Sequence, residues 1–444
     1  MAQKEGDTIV APATPPGRGA LAVVRLSGSR ALEVARRVAP SLPARPRPRY
    51  AHLTVLSDRS GRELDTAVAV WFPAPRSYTG EEMVEITCHG SPAVVRELLA
   101  ACRRAGARPA DPGEFTVRAV RNGKLDLTQA EAIADLVEAA TVEQAHLAAR
   151  QLRGEVARAL QPLAEEVASL LAELEAGLDF PDEEERLRPD PERLGAKSRE
   201  LAGRLEALLE RSAIARRVRE GALVVLHGPA NAGKSSLFNN LVGSDRAIVT
   251  DEPGTTRDLV EEVVVIEGLP VRLVDAAGVG AAVSKADAAG QERAWQAARE
   301  ADLVLRVYAL TTRERPAPAG PRELLVATHG DRPPAAPPVP GSLVVSNVTG
   351  AGIDRLRAEI ARRLEAPGEA PLESVALANE RHRHAADRAR AALERAGTLL
   401  GSGGEPELAA LELRQAVGHL REILGQVGPE EILERIFSRF CIGK

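Results

Sequence analysis

Gly228-Pro229-Ala230-Asn231-Ala232-Gly233-Lys234-Ser235 is the stretch on which the reading of this chain turns. It fits G-x-x-x-x-G-K-[ST], a loop whose backbone N–H groups face phosphates, whose lysine reaches the outer phosphates and whose serine hydroxyl meets Mg2+. Its context supports the pattern. The apolar run 222–226 before it reads as a strand, and residues 236–241 after it read as a helix. Strand signals recur at 263–266, 271–274, 303–307, 324–327 and 343–345, with helical stretches between several of them. That alternation predicts a mostly parallel α/β sheet with both faces covered. The Pro-rich stretches 315–321 and 332–340 flank the fifth strand and read as surface connections.

Further pieces fall where a nucleotide would need them. Asp275 ends an apolar strand and begins Asp275-Ala276-Ala277-Gly278. Its carboxylate is placed to hold Mg2+ through water, and the amide of Gly278 to face the γ-phosphate. Between the two motifs lies Gly254-Thr255-Thr256-Arg257-Asp258, where Thr256 can close over Mg2+ as a switch. Order, spacing and strand placement together point to a switch-type GTPase domain. The base-reading motif is altered. Thr328-His329-Gly330-Asp331 stands where Asn-Lys-x-Asp is usual, with Asp331 placed to accept from guanine N1–H and N2–H2. Ser346-Asn347-Val348 lies where the last guanine-side loop should be. Val279 follows Gly278 in place of a water-positioning glutamine, so the water must be oriented from elsewhere.

The rest of the chain sets bounds. Its 444 residues suggest roughly three domains, and 44% hydrophobic with 27% charged residues is a globular composition. A net charge of −5 argues against a general nucleic-acid coat or polybasic membrane binder, so any RNA contact must be local or made through a partner. With eleven aromatic residues, rows of base-stacking rings are not expected. Cys88, Cys102 and Cys441 are scattered and suggest neither disulfides nor zinc. The N-terminus lacks an apolar targeting stretch and no uncharged run has membrane-span length, so a cytoplasmic location is expected.

Residues 1–120 read as α+β, with strands at 21–26, 53–56, 67–72 and 83–88 and a helix near 92–105. From Thr128 to about Leu178 the pattern becomes helical, with Thr128 and Glu131 as a candidate capping box. A break at Asp179-Phe180-Pro181 follows, then helix from about Pro191 to Glu220, and helix again after about Pro367.

These motifs, taken with both ends of the chain, resemble the tRNA-modification GTPase MnmE (TrmE) family over nearly the whole length. The matching stretches are Asp7-Thr8-Ile9-Val10-Ala11, Ala13-Thr14-Pro15-Pro16-Gly17-Arg18-Gly19, Ser77-Tyr78-Thr79-Gly80-Glu81, Pro112-Gly113-Glu114-Phe115 and Lys124-Leu125-Asp126-Leu127-Thr128-Gln129-Ala130-Glu131-Ala132. With them go the Asp179–Glu184 break, the nucleotide loop and the terminal Phe440-Cys441-Ile442-Gly443-Lys444. The resemblance implies an N-terminal α+β dimerisation and folate-binding domain (1–120) and a helical domain in two parts (121–215 and 367–444). A P-loop GTPase domain (216–366) is inserted between those parts. It implies folate contacts at Arg25, Glu85, Lys124 and Lys444, with a 5-formyltetrahydrofolate-type one-carbon donor. Cys441 belongs to the terminal motif. Nucleotide contacts fall on Asn231, Ala232, Gly233, Lys234, Ser235 and Ser236, on Thr250-Asp251-Glu252-Pro253-Gly254-Thr255-Thr256, and on the strand-end and base motifs above. Mg2+ falls on Ser235 and Thr256. K+ falls on Asn231, Thr250, Glu252 (by its carbonyl) and Thr255, supplying charge beside the β–γ bridge.

The family acts as a homodimer. With the FAD-dependent partner MnmG, in a heterotetramer-type complex, it modifies C5 of the wobble uridine of certain tRNAs. The chain departs from the family pattern at Ala276, at Gly280 where arginine is usual, in the Thr328-His329 motif, and at Asp287, which replaces the water-orienting glutamate. On this reading Lys234 and Asp287 carry catalysis. The alternatives are a GTP-dependent assembly switch, or a folate-binding scaffold with a weakened GTPase.

Overall fold

The structure, a computed structural model, describes residues 7–58, 60–179, 190–243, 260–275, 298–364, 377–426 and 443. The chain divides into two compact units. One comprises Met1–Ala134, Gln151–Glu165 and Val417–Lys444, and the other Asp135–Arg150 and Glu166–Ala416.

The first unit is built on strands β1 (Ile9–Pro12), β2 (Leu21–Ser27), β3 (His52–Ser57), β4 (Glu63–Phe72), β5 (Met83–His89) and β6 (Arg108–Pro109). Their order is β3-β4-β5-β2-β1-β6, antiparallel apart from the β1–β6 pair. Alternation along β2 and β5 sends Val24, Leu26, Val84 and Ile86 into a core with Val34, Leu98 and Cys102 of the helices Ala31–Val38 and Pro92–Arg104. Arg25 and Glu85, directly paired in register, belong to the opposite face. The four strands expected from sequence are β2 to β5. β1 and β6 escaped notice because four and two residues are too short to show a period.

One local expectation is corrected. Helix Leu127–Glu138 is opened by Asp126, whose Oδ1 accepts from Gln129 N at 2.8 Å, while Gln129 Oε1 accepts from Asp126 N at 2.9 Å. The reciprocal box is therefore Asp126–Gln129 and not Thr128–Glu131; Thr128 spends its hydroxyl on Asp126 Oδ1. A following helix, Glu155–Asp179, runs through Pro162 at the cost of one backbone hydrogen bond.

The second unit carries β7 (Ala222–His227), β8 (Val260–Ile266), β9 (Leu269–Asp275), β10 (Leu303–Ala309), β11 (Glu323–Thr328) and β12 (Leu343–Val344). The order is β12-β11-β10-β7-β9-β8, parallel except for the β8–β9 hairpin. That hairpin turns on Glu267 and Gly268, both at positive φ, as a tight turn between twisted strands requires. Helices Lys234–Gly243 and Ile353–Leu364 press Leu237, Leu241, Leu356 and Ile360 onto Val224, Leu226, Leu305 and Val326. The same unit holds helices Pro191–Glu220 and Glu380–Gly401 packed side by side. Their backbones approach so closely that a Cβ on Gly397 would stand 3.0 Å from Gly195 O. Among the described residues no helix is long and apolar enough to cross a membrane.

Candidate functional site

The loop between β7 and helix Lys234–Gly243 is shaped by three residues. A Cβ on Gly228 would lie 2.0 Å from Val307 O, so only glycine lets the chain leave the sheet against β10. Asn231 and Gly233 take φ of 60° and 81°. Such left-handed residues turn successive N–H groups to one side, and the helix N-terminus adds its own, which together suit an anion. Lys234 is buried and folds back to donate to Gly228 O (2.8 Å) and Pro229 O (2.7 Å). Burial lowers its pKa below the ordinary lysine value, with Asp275 pulling the other way.

Ser235 Oγ donates to Asp275 Oδ2 at 2.9 Å, so the helix start and the end of β9 meet here. A hydroxyl and a carboxylate side by side are hard oxygen donors, which fits Mg2+. Ser236 follows on the same helix.

The base-side loops are tied to the phosphate loop. Thr328 is fully buried, and its hydroxyl donates to Ala232 O at 2.7 Å. Asn347 Nδ2 donates to Gly233 O at 3.0 Å, and Asn240 Nδ2 donates to Asn347 O at 3.0 Å. Asp331 Oδ1 accepts from Ser346 Oγ at 2.7 Å, a bond that holds its carboxyl below the usual range. His329 sits at φ 62°, with Nδ1 3.1 Å from Thr328 Oγ1, and Gly330 N donates to Val345 O. Val348 is exposed. Asn231 to Ser235, Asp275, Thr328, Asp331, Ser346 and Asn347 thus converge on one end of the parallel sheet. Thr250 to Thr256, Ala276, Ala277, Gly278, Asp287, Cys441 and Lys444 lie outside the described residues.

Sequence reasoning missed the braces behind the base loop. Tyr308 OH lies 2.9 Å from Ser342 Oγ and accepts from Val339 N. The Arg315 guanidinium stands 5.5 Å over that ring and donates to Ala336 O and Pro337 O, joining the two Pro-rich connections. No spacing rule links these residues.

In the first unit, Arg25 binds Glu85 Oε1 through Nε (2.9 Å) and Nη2 (2.8 Å), and Nη1 reaches Gly443 O at 3.4 Å. Its guanidinium lies 5.4 Å from the Tyr78 ring centre and 5.7 Å from that of Phe115. A Cβ on Gly80 would meet Lys124 Cγ at 3.3 Å, which sets Lys124 on the turn that carries Tyr78. An ion network stands nearby. Arg118, 2% exposed, bonds Asp7, Glu81 and Glu114, while Arg108 bonds Asp7 and Glu114. These residues fall in or near matching motifs, but the sequence offered no role for them.

Fold and site define the class: a P-loop GTPase with a separate α+β unit. Residues 127–441 match the family model described as MnmE helical domain, and residues 8–124 match that of the GTP-binding protein TrmE N-terminus. The tRNA modification GTPase MnmE of Halorhodospira halophila is 44% identical over 458 residues, covering 99% of this chain and 96% of its own. That of Akkermansia muciniphila is 41% identical over 448 residues, covering 98% and 99%. The chain belongs to the MnmE (TrmE) family of tRNA modification GTPases, and it is a GTP hydrolase.

Proposed function

We propose that this chain couples GTP hydrolysis to modification of C5 of the wobble uridine (position 34) in certain tRNAs, forming an aminomethyl-type derivative together with the FAD-dependent MnmG. The observation that carries the reading is one chain holding both a braced nucleotide loop and the cluster of Arg25, Glu85 and the Gly443 carbonyl.

Lys234, seated over the loop, swings its ammonium to the β- and γ-phosphates, and loop N–H groups take the remaining oxygens. Ser235 and Thr256 would hold Mg2+, with Asp275 assisting through water, and the ion would supply positive charge against the phosphates. Asn231, Thr250, the Glu252 carbonyl and Thr255 would hold K+, which would supply a fixed positive charge for the transition state. Asp331 accepts from guanine, and the Ser346 hydroxyl fixes its rotamer. Asp287 orients the attacking water. Aspartate is shorter than the family's glutamate by about 1.5 Å, a displacement that costs on the order of a hundredfold in rate. Asp287→Glu should therefore raise hydrolysis, Asp287→Ala lower it, and neither change nucleotide affinity.

Arg25, Glu85, Lys124 and Lys444 form the site for a 5-formyltetrahydrofolate-type donor in a homodimeric N-terminal domain. The domain bounds proposed from sequence, 1–120, 121–215, 216–366 and 367–444, go with this reading, as does a cytoplasmic location. Mass spectrometry of wobble uridines from a deletion strain tests it: unmodified C5 in the affected tRNAs is expected, and full modification overturns it. Hydrolysis equal in K+ and Na+ would remove the K+ site.

A further inference from the structure

Between Glu33 and Asp58 the sequence holds five arginines and not one carboxylate. Three of them alternate with proline in Pro43-Ala44-Arg45-Pro46-Arg47-Pro48-Arg49-Tyr50, which leads into edge strand β3. Arg45, Arg47, Arg49 and Tyr50 are all exposed, and so is Arg76, whose carbonyl accepts from the Arg49 guanidinium. The Arg47 guanidinium stands 5.4 Å over the Tyr50 ring, and the His52 ring meets Tyr50 edge-on with centroids 5.1 Å apart. Arg49 is held at φ 55°, an uncommon conformation for a residue with a side chain.

Close to this stretch in the sequence, Arg30 and Arg37 are neutralised by Glu33, and Arg62 by Asp58. Among the described residues no carboxylate lies within ion-pair distance of Arg45, Arg47, Arg49 or Arg76. A local surplus of positive charge on a chain of net charge −5 is stable alone only because it is solvated, and it gains when counter-charge arrives. Arginine forks suit phosphate oxygens, and the half-exposed Tyr50 ring offers a face on which an unstacked base can lie. An acidic protein partner would answer the charge but would leave that ring without a flat partner.

We propose that this patch is where the chain grips the phosphate backbone of an RNA, with Tyr50 stacking against a base. It rests on the tRNA reading above and names the surface that reading requires. Arg45 and Arg76 make no side-chain bond among the described residues, so Arg45→Gln/Arg76→Gln should leave the fold intact.

The test is binding of fluorescently labelled bulk tRNA to the full chain at several salt concentrations. The double variant should bind on the order of tenfold more weakly, with the slope of log affinity against log salt shallower by about 1.5. Tyr50→Ala should weaken binding with an unchanged slope, and Tyr50→Phe should restore it. Unchanged affinity and slope in the double variant, with the parent chain binding well, overturns the surface alone. A parent chain that hydrolyses GTP yet binds no tRNA overturns the underlying reading with it. Loss of self-association by sedimentation, with tRNA affinity retained per protomer, assigns the patch to a second copy of this chain and also overturns the proposal.

Discussion

Two adjacent carbonyls of the phosphate loop, Ala232 and Gly233, are each held by a side chain from a different base-side loop. The Thr328 hydroxyl donates to Ala232 O, and the Asn347 amide donates to Gly233 O. Gly233 makes room for both, since a Cβ there would sit 3.1 Å from Asn347 Nδ2 and 3.4 Å from Thr328 Oγ1. Asn347→Ala removes one neutral hydrogen bond, about 1 kcal/mol, and should speed release of a fluorescent GDP analogue about fivefold by stopped flow. An unchanged rate would show that the loop holds its shape without the amide. In the proposed site Asp331 accepts from guanine, and a site with polar groups rejects the wrong base because they go unpaired. Calorimetry should give a GDP-over-ADP preference that falls at least about tenfold in Asp331→Ala.

At the scale of elements, helices Pro191–Glu220 and Glu380–Gly401 show how one residue type serves two ends. Gly203, on the first helix, has nothing within 4 Å of where its Cβ would be, whereas Gly397, on the second, would meet Arg199 Cγ at 2.8 Å. Gly203→Ala should therefore raise stability by about 0.5–1 kcal/mol in urea unfolding. Gly397→Ala should lower it by about 1–3 kcal/mol by forcing the helices apart. Equal effects would mean the crossing is looser than its geometry. Sequence spacing made both segments legible as helices, but it could not tell a glycine in open space from a glycine at a crossing.

For the molecule as a whole, the first unit has its own electrostatic anchor. Burial raises the carboxyl pKa of Asp7 and Glu114, but hydrogen bonds from Arg108 and Arg118 outweigh it and leave both below their ordinary values. Groups depressed in the fold stabilise it fully above their unfolded pKa near 4, and that contribution is lost as pH falls through the folded values. Trp71, bonded to Glu82 in this unit, reports the loss by fluorescence in a Trp295→Phe background. Arg118→Met leaves the buried Glu114 with Arg108 as its one arginine partner and should move the acid transition to higher pH; an unmoved transition would mean the network does not set it. At the other end of the chain, a Cβ on Gly443 would meet Pro12 O at 1.9 Å. On the folate site proposed above, Gly443→Ala should weaken 5-formyltetrahydrofolate binding in calorimetry while barely changing the melting temperature; unchanged affinity would take Gly443 out of that site.

By itself the sequence determined what is carried by spacing along the chain. The nucleotide loop, strands β2 to β5, the alternating strands and helices around Lys234, and the family all follow from contiguous residues and local conformational preference. Tertiary structure alone decided what depends on chain closure. Arg25 meets Glu85 only because β2 and β5 pair in that register, and it meets Gly443 across 418 positions. The Asn347 amide reaches Gly233 across 114, and the five-membered ion network forms where Asp7, Glu81 and the 108–118 segment come together. Hydrogen bonds act over about 3 Å, while sequence periodicity carries no information about which distant groups will be brought that close.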